Sequence, residues 1–331
     1  MACSFSFDLA DSGEVISSSI IRSVCYRQSH ILIGTMGSEI LDLDITQGEV
    51  NTLMRGHFKG ETWGLAVHPI DRSFVTSGDE GYIYLWDGAR NSMKAQMKLD
   101  VKCRALSFSP DGSQIAAGLE HGRVMILDSN LQTVVADRDI ARDWIQVIKY
   151  SPNGDMLAVG SHDRLIYLLD TRSYSRKAVL RGHSSYITHI DFSLDSNYLQ
   201  SNCGAYELLF WTSNGNRVTS ASSMRDVNWA TWTCTLGWPV QGIWPPCSDG
   251  TDVNAVDRSP NNSLLITGDD FGKVKLFQNP CCRTNGGFKE FNGHSSHVTN
   301  VGFSNDDSWA LSVGGGDRTV IQWRVRRVGT R

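Results

Sequence analysis

Catalysis by a serine nucleophile needs that serine on a sharp G-x-S-x-G elbow with a histidine in reach. No serine in this chain stands in that setting, although His57, His68, His162, His183 and His294 recur along it. Phosphate binding needs a glycine-rich turn that opens a helix, so that backbone N–H groups face the anion. Gly268–Lys273 (GDDFGK) has the glycines and a lysine, but apolar alternation on both sides makes it a strand–turn–strand corner. Zinc binding needs paired ligands at short spacing. The eight cysteines are Cys3, Cys25, Cys103, Cys203, Cys234, Cys247, Cys281 and Cys282, and none forms a C-x-x-C pair. Adjacent Cys281 and Cys282 do not easily ligate one tetrahedral ion. These residues therefore predict no catalytic, cofactor or metal site, and the thiols read as reduced and mostly buried in a cytoplasmic protein. One charged cluster remains. Arg318, Arg324, Arg326, Arg327 and Arg331 follow or adjoin Asp317, the last acidic residue, and would suit contact with an acidic partner surface.

The histidines make better sense as parts of repeated elements. Gly293–Val325 opens on Gly293-His294 and runs through three short apolar strands, Val298 to Phe303, Trp309 to Val313 and Thr319 to Val325. A Gly314–Asp317 corner precedes the third strand, which carries Trp323. That is the pattern of a WD40 blade, in which the opening His, the corner Asp and the closing Trp hold the unit together. Six further units precede it, and the closing positions fall at Leu43, Trp86, Leu127, Leu169, Trp211, Phe277 and Trp323. The first four intervals, 43, 41, 42 and 42, match a blade period of ~40–45 residues. The units span approximately 13–47, 56–87, 98–128, 138–170, 182–212, 226–278 and 293–325. Period-two alternation within them, with SPDG and SPNG turns at Ser109 and Ser151, marks antiparallel strands. The fold expected is all-β, a single seven-bladed WD40 β-propeller over 1–331. Residues 1–12, with CSFSFDL, could supply a closing strand to the last blade. His57, Trp86, Asp163, His183, Trp211, His294, Asp317 and Trp323 are predicted to be structural blade residues.

The interval before Phe277 is 66 residues, and the surplus lies in an aromatic insertion at 217–250. Trp229 and Trp232 read as part of the first strands of the sixth unit, and Trp238 and Trp244 as a long loop. Exposed aromatics favour binding, so Trp238 and Trp244 join Arg324, Arg326 and Arg327 as candidate partner contacts. A net charge of −4 over 331 residues gives no global attraction to nucleic acid or anionic membranes. No run approaches the ~18–20 apolar residues of a membrane span, and the start lacks the pattern of a signal peptide.

Two stretches are more specific than the repeat. Arg225 to Phe277 and Gly293 to Val325 closely resemble the carboxy-terminal propeller of the echinoderm microtubule-associated protein-like family. The segments that carry the resemblance are SDGTDVNAVDRS (Ser248 to Ser259), GDDFGKVKLF (Gly268 to Phe277) and GHSSHVTNV (Gly293 to Val301). Members carry two joined propellers, a hydrophobic motif in the first and often an amino-terminal coiled coil, and associate with microtubules or soluble tubulin. The resemblance implies a non-enzymatic, cytoplasmic protein that binds tubulin or microtubules by protein–protein contact in cytoskeleton organisation. The chain departs from the family plan in having one ring's worth of repeats and no heptad segment. Two other functions fit a propeller. One is a substrate receptor of a cullin-type ubiquitin ligase, whose Trp-Asp-x-Arg ending Leu157 to Arg172 approaches with Leu169 in place of Trp. The other is a general peptide-binding scaffold.

Overall fold

The computed structural model describes residues 20–245, 248–284 and 286–326. They form antiparallel strands, turns and short 3-10 segments, the all-β class that the period-two pattern predicts. The chain divides into two compact units, Met1–Gly60 and Glu61–Arg331. The first unit holds one sheet of β1 (Ile21–Arg27), β2 (His30–Thr35), β3 (Ile40–Asp44) and β4 (Glu49–Met54). Its apolar core is Ile33, Leu41, Leu43 and Val50. Residues 1–12, the expected closing strand, lie outside the described residues.

The second unit holds six sheets, each a meander in chain order. The first contains β5 (Thr62–Val67), β6 (Ser73–Gly78), β7 (Tyr82–Asp87) and β8 (Ser92–Lys98). Next come β9 (Cys103–Phe108), β10 (Gln114–Leu119), β11 (Arg123–Asp128) and β12 (Val134–Asp139). The third has β13 (Ile145–Tyr150), β14 (Met156–Ser161), β15 (Ile166–Asp170) and β16 (Arg176–Leu180). The fourth has β17 (Ile187–Phe192), β18 (Tyr198–Cys203), β19 (Leu208–Thr212) and the two-residue β20 (Arg217–Val218). The fifth has β21 (Val253–Arg258), β22 (Leu264–Asp269), β23 (Lys273–Gln278) and β24 (Phe288–Asn292). The last, β25 (Val298–Phe303), β26 (Trp309–Gly314) and β27 (Val320–Arg324), has three strands. With the sheet of the first unit this makes seven, the number of repeats in the sequence.

One turn recurs between the first and second strands of these sheets. The hydroxyls of Ser151, Ser193 and Ser304 donate to Asn153, Asp195 and Asp306 at 2.7, 2.6 and 2.7 Å. Each serine oxygen then accepts the N–H five residues on, from Met156, Tyr198 or Trp309. Gly154 takes the left-handed position of the SPNG turn, with φ 76°. These Ser-x-Asx turns fix the register of each hairpin and so decide which residues face inward.

The innermost strands β5, β9, β13, β17, β21 and β25 surround a central cavity of about 830 Å³. Within this unit the last sheet packs directly on the first. Leu65 and Phe74 meet Trp309, Leu311 and Val313. Thr62 N donates to Gly315 O at 3.2 Å, Thr299 Oγ1 donates to Thr62 O at 2.7 Å, and Gln322 Nε2 donates to Gly88 O at 3.0 Å.

The aromatic insertion departs from expectation. Trp229 and Trp232 are not in the first strands of the sixth repeat, because β21 begins at Val253. They lie on an extended segment that runs between β17 and β21. Trp229 bridges Ser193, and Ala230 N donates to Phe192 O at 2.9 Å. From the other side Arg258 donates to Trp229 O at 2.5 Å. Trp229 and Trp232 are buried with Val240, Ile243, Val253 and Phe277. Two short polar-apolar alternations, W-A-T-W-T-C, thus build a wedge that completes the inner wall where no sheet stands.

Candidate functional site

The closing tryptophans are joined to histidines through a serine. In the last sheet Trp323 Nε1 donates to Ser312 Oγ at 2.8 Å, and Ser312 Oγ lies 2.7 Å from His294 Nε2. His294 Nδ1 is 3.2 Å from Asp317 Oδ2, and Ser295 N donates to that same oxygen at 2.8 Å. The fourth sheet of the second unit repeats the arrangement. Trp211 Nε1 donates to Ser201 Oγ at 2.8 Å, and His183 Nε2 is 2.7 Å from it. The acid here is Glu207, 3.3 Å from His183 Nδ1. Donors run one way through each chain: tryptophan N–H to serine oxygen, serine O–H to Nε2, Nδ1–H to the carboxylate. Burial holds both histidines below their usual pKa, which suits neutral rings in these roles.

Ser312, His294 and Asp317 match the composition of a catalytic triad, yet they cannot act as one. Ser312 and Ser201 are fully buried, and each serine oxygen already receives a tryptophan N–H. A nucleophile must reach a substrate carbon, and these oxygens face packed indole. Ser312→Ala is expected to destabilise the second unit by about 1–3 kcal/mol, since it strands Trp323 N–H and His294 Nε2 in the interior. A shift in the urea unfolding midpoint measures it; an unchanged midpoint would remove the network from the stability account.

The other predicted blade residues vary. Trp86 Nε1 donates to Thr76 Oγ1 at 2.8 Å. His57 is buried in the first unit. Asp163 has no histidine partner of this kind; it accepts from Tyr167 Oη at 2.7 Å and from Arg142 N at 3.1 Å. The repeat that contains it opens without Gly-His, so a tyrosine takes the carboxylate. Sequence reasoning missed Ser201, Ser312 and Glu207. Their signal is a Ser or Thr ten or eleven residues before the closing Trp, at Thr76, Ser201 and Ser312.

The GDDFGK corner is filled from within. Asp269 Oδ1 accepts Phe271 N at 3.0 Å and Lys273 N at 2.8 Å, and Lys275 Nζ bonds its other oxygen at 2.8 Å. The carboxylate takes the amide groups and the charge that a phosphate would use.

Charged groups concentrate around the central cavity. Asp191 is fully buried and accepts Thr231 Oγ1 at 2.6 Å, Thr233 N at 2.9 Å and Cys234 N at 3.0 Å. Burial opposes its charge, but Lys149 and these hydrogen bonds outweigh that and hold its pKa low. Burial pushes Asp257 up to about 6 and His189 down to about 4. The Arg104 guanidinium is sandwiched at the channel between Trp63 (4.6 Å) and Trp144 (4.0 Å). Trp63 Nε1 and Arg104 Nε are buried donors without a hydrogen-bond partner among the described residues.

The predicted contact residues separate. Trp238 is 65% exposed. Trp244 is half-buried, with its Nε1 donating to Thr235 O at 3.0 Å. Arg324 and Arg326 are exposed at the end of β27, and Arg327 lies outside the described residues.

Residues 62–325 match the family model described as the echinoderm microtubule-associated protein second beta-propeller. These bounds coincide with the ring from β5 to β27. Echinoderm microtubule-associated protein-like 2 of Mus musculus is 43% identical over 304 residues, covering 90% of this chain and 46% of that protein. The 77 kDa echinoderm microtubule-associated protein of Lytechinus variegatus is 42% identical over 314 residues, covering 92% and 46%. Echinoderm microtubule-associated protein-like 3 of Homo sapiens is 40% identical over 307 residues, covering 91% and 34%. The chain thus spans half or less of the length of these relatives, and it belongs to the echinoderm microtubule-associated protein-like family.

Proposed function

We propose that this chain is a non-enzymatic microtubule- or tubulin-associated propeller, acting by protein–protein contact at the cytoplasmic cytoskeleton. The observation that carries the reading is the match of a whole ring, residues 62–325, to a propeller of microtubule-associated proteins. The buried serines of the His–Ser–Trp networks support the non-enzymatic part. Tubulin surfaces are acidic, and Arg324 and Arg326 present two exposed cations on one short strand end. Trp238 supplies an exposed aromatic anchor of the kind that dominates interface energetics.

Co-sedimentation of the purified chain with stabilised microtubules at physiological salt tests this. The wild type is expected in the pellet. Arg324→Glu with Arg326→Glu is expected to weaken binding roughly fivefold to tenfold, with a reduced dependence on salt. A wild type that stays in the supernatant would overturn the reading. A double variant that pellets as well as the wild type would remove the arginines from the contact.

A further inference from the structure

We propose that His183, Cys203 and Glu207 form a binding site for zinc or a similar divalent ion of borderline softness. The three residues fall within one 25-residue stretch and meet at one corner of the sheet β17–β20. His183 lies just before β17, Cys203 ends β18 and Glu207 precedes β19. Glu207 Oε2 is 3.3 Å from His183 Nδ1 and 3.2 Å from Cys203 Sγ, and the three ligand atoms all lie within 4.8 Å of one another. Ligands of one tetrahedral zinc ion stand roughly 3–4 Å apart, given metal–ligand bonds of about 2.0–2.3 Å. Small side-chain movements therefore bring all three onto one ion, with water in the fourth position.

The surroundings suit the ion. Ser201 Oγ, 2.7 Å from His183 Nε2, fixes the ring and leaves Nδ1 to the metal, the support that ligating histidines commonly have. Binding moves the ring proton from Nδ1 to Nε2, where the N–H donates to Ser201 Oγ and the serine hydroxyl proton turns away, and it releases one proton, that of the thiol, to solvent. A thiolate and a carboxylate then balance the two positive charges, so the core is neutral, as a largely buried site requires. Glu207 is 34% exposed, which gives the ion a way in.

The last sheet provides an internal comparison. It has the same His–Ser–Trp chain, but Gly314 occupies the place of Cys203 at the end of the second strand. A Cβ at Gly314 would run into the Asp317 carboxylate and crowd His294 Nδ1. In β17–β20 the acid comes one residue later and is a longer glutamate, which leaves room for a side chain, and that side chain is a thiol.

Titration of the chelator-treated, reduced full chain with Co²⁺ tests the site. One equivalent is expected to give a near-ultraviolet thiolate-to-cobalt charge-transfer band that Zn²⁺ abolishes. Cys203→Ala should lose the band and Glu207→Gln should weaken Co²⁺ binding at least about tenfold. Cys25→Ser, an exposed control, should keep the band. Zn²⁺ should raise the melting temperature of the wild type and not that of Cys203→Ala. Circular dichroism shows whether each variant is folded, and Glu207→Gln, which keeps the shape of the acid, carries the test if Cys203→Ala is not. No band in the wild type, or an unchanged affinity in Glu207→Gln, would overturn the proposal.

Discussion

Asp191→Ala is expected to destabilise the 61–331 unit by about 3–5 kcal/mol, the usual cost of removing one partner from a buried charged network. The carboxylate ties Thr231, Thr233 and Cys234 of the wedge to β17, beside the backbone bond from Ala230 N to Phe192 O. Its removal leaves Thr233 N–H, Cys234 N–H and the Thr231 hydroxyl without their acceptor. The attraction between Lys149 and the ionised Asp191 carboxyl is lost as well. Urea unfolding gives the global effect. Hydrogen exchange at 228–236 and the fluorescence of Trp229 and Trp232 give the local one. Exchange in that stretch as slow as in the wild type would show that packing alone holds the wedge. The pH sign follows from the low pKa of Asp191. Its contribution is present above the unfolded carboxylate value near 4 and is lost as pH falls through the lower folded value.

Asp257→Asn is expected to do the opposite at neutral pH. Burial raises Asp257 to about 6, while the unfolded carboxyl titrates near 3.8. Below pH 4 the group is protonated in both states and imposes no penalty. Between pH 4 and 6 the unfolded chain loses the proton first, so stability falls as pH rises. Above pH 6 the folded state carries the full penalty, about 3 kcal/mol for a shift of this size. An asparagine keeps an acceptor for Phe303 N, which now donates to Asp257 Oδ2 at 2.8 Å. The variant should therefore exceed the wild type in stability by about 2–3 kcal/mol at pH 7 and match it near pH 4. A stability difference that does not change between these pH values would rule out Asp257 as the titrating group.

The repeat was readable because its signals are local. Leu127, Leu169 and Trp211 lie on the third strands of their sheets and are buried, as the 41–42-residue spacing and the alternation predict. His294, Asp317 and Trp323 lie within 30 residues and meet within one sheet, so a single repeat contained their geometry. The wedge was not readable for the opposite reason. Trp229 to Cys234 alternates as a strand does, but only its start pairs with the end of β17, and the rest is held by the Asp191 carboxylate, some forty residues earlier, rather than by a ladder. Ser201 and Ser312 were passed over because a serine in an apolar run looks neutral until the indole N–H and the imidazole on either side are known. The contact of the last sheet with β5–β8 was not readable either, because it joins residues more than 230 positions apart.

That seam has a mechanical meaning. The last sheet and the first meet through apolar side chains and a few hydrogen bonds, such as Thr299 to Thr62 and Gln322 to Gly88, with no described strand shared between them. A tension applied across the two ends of the unit would load this join before it strained any ladder within a sheet. The seam is then a clasp, and the force at which the ring opens is set there, by Leu65, Phe74 and Trp309, rather than by the strength of the individual sheets.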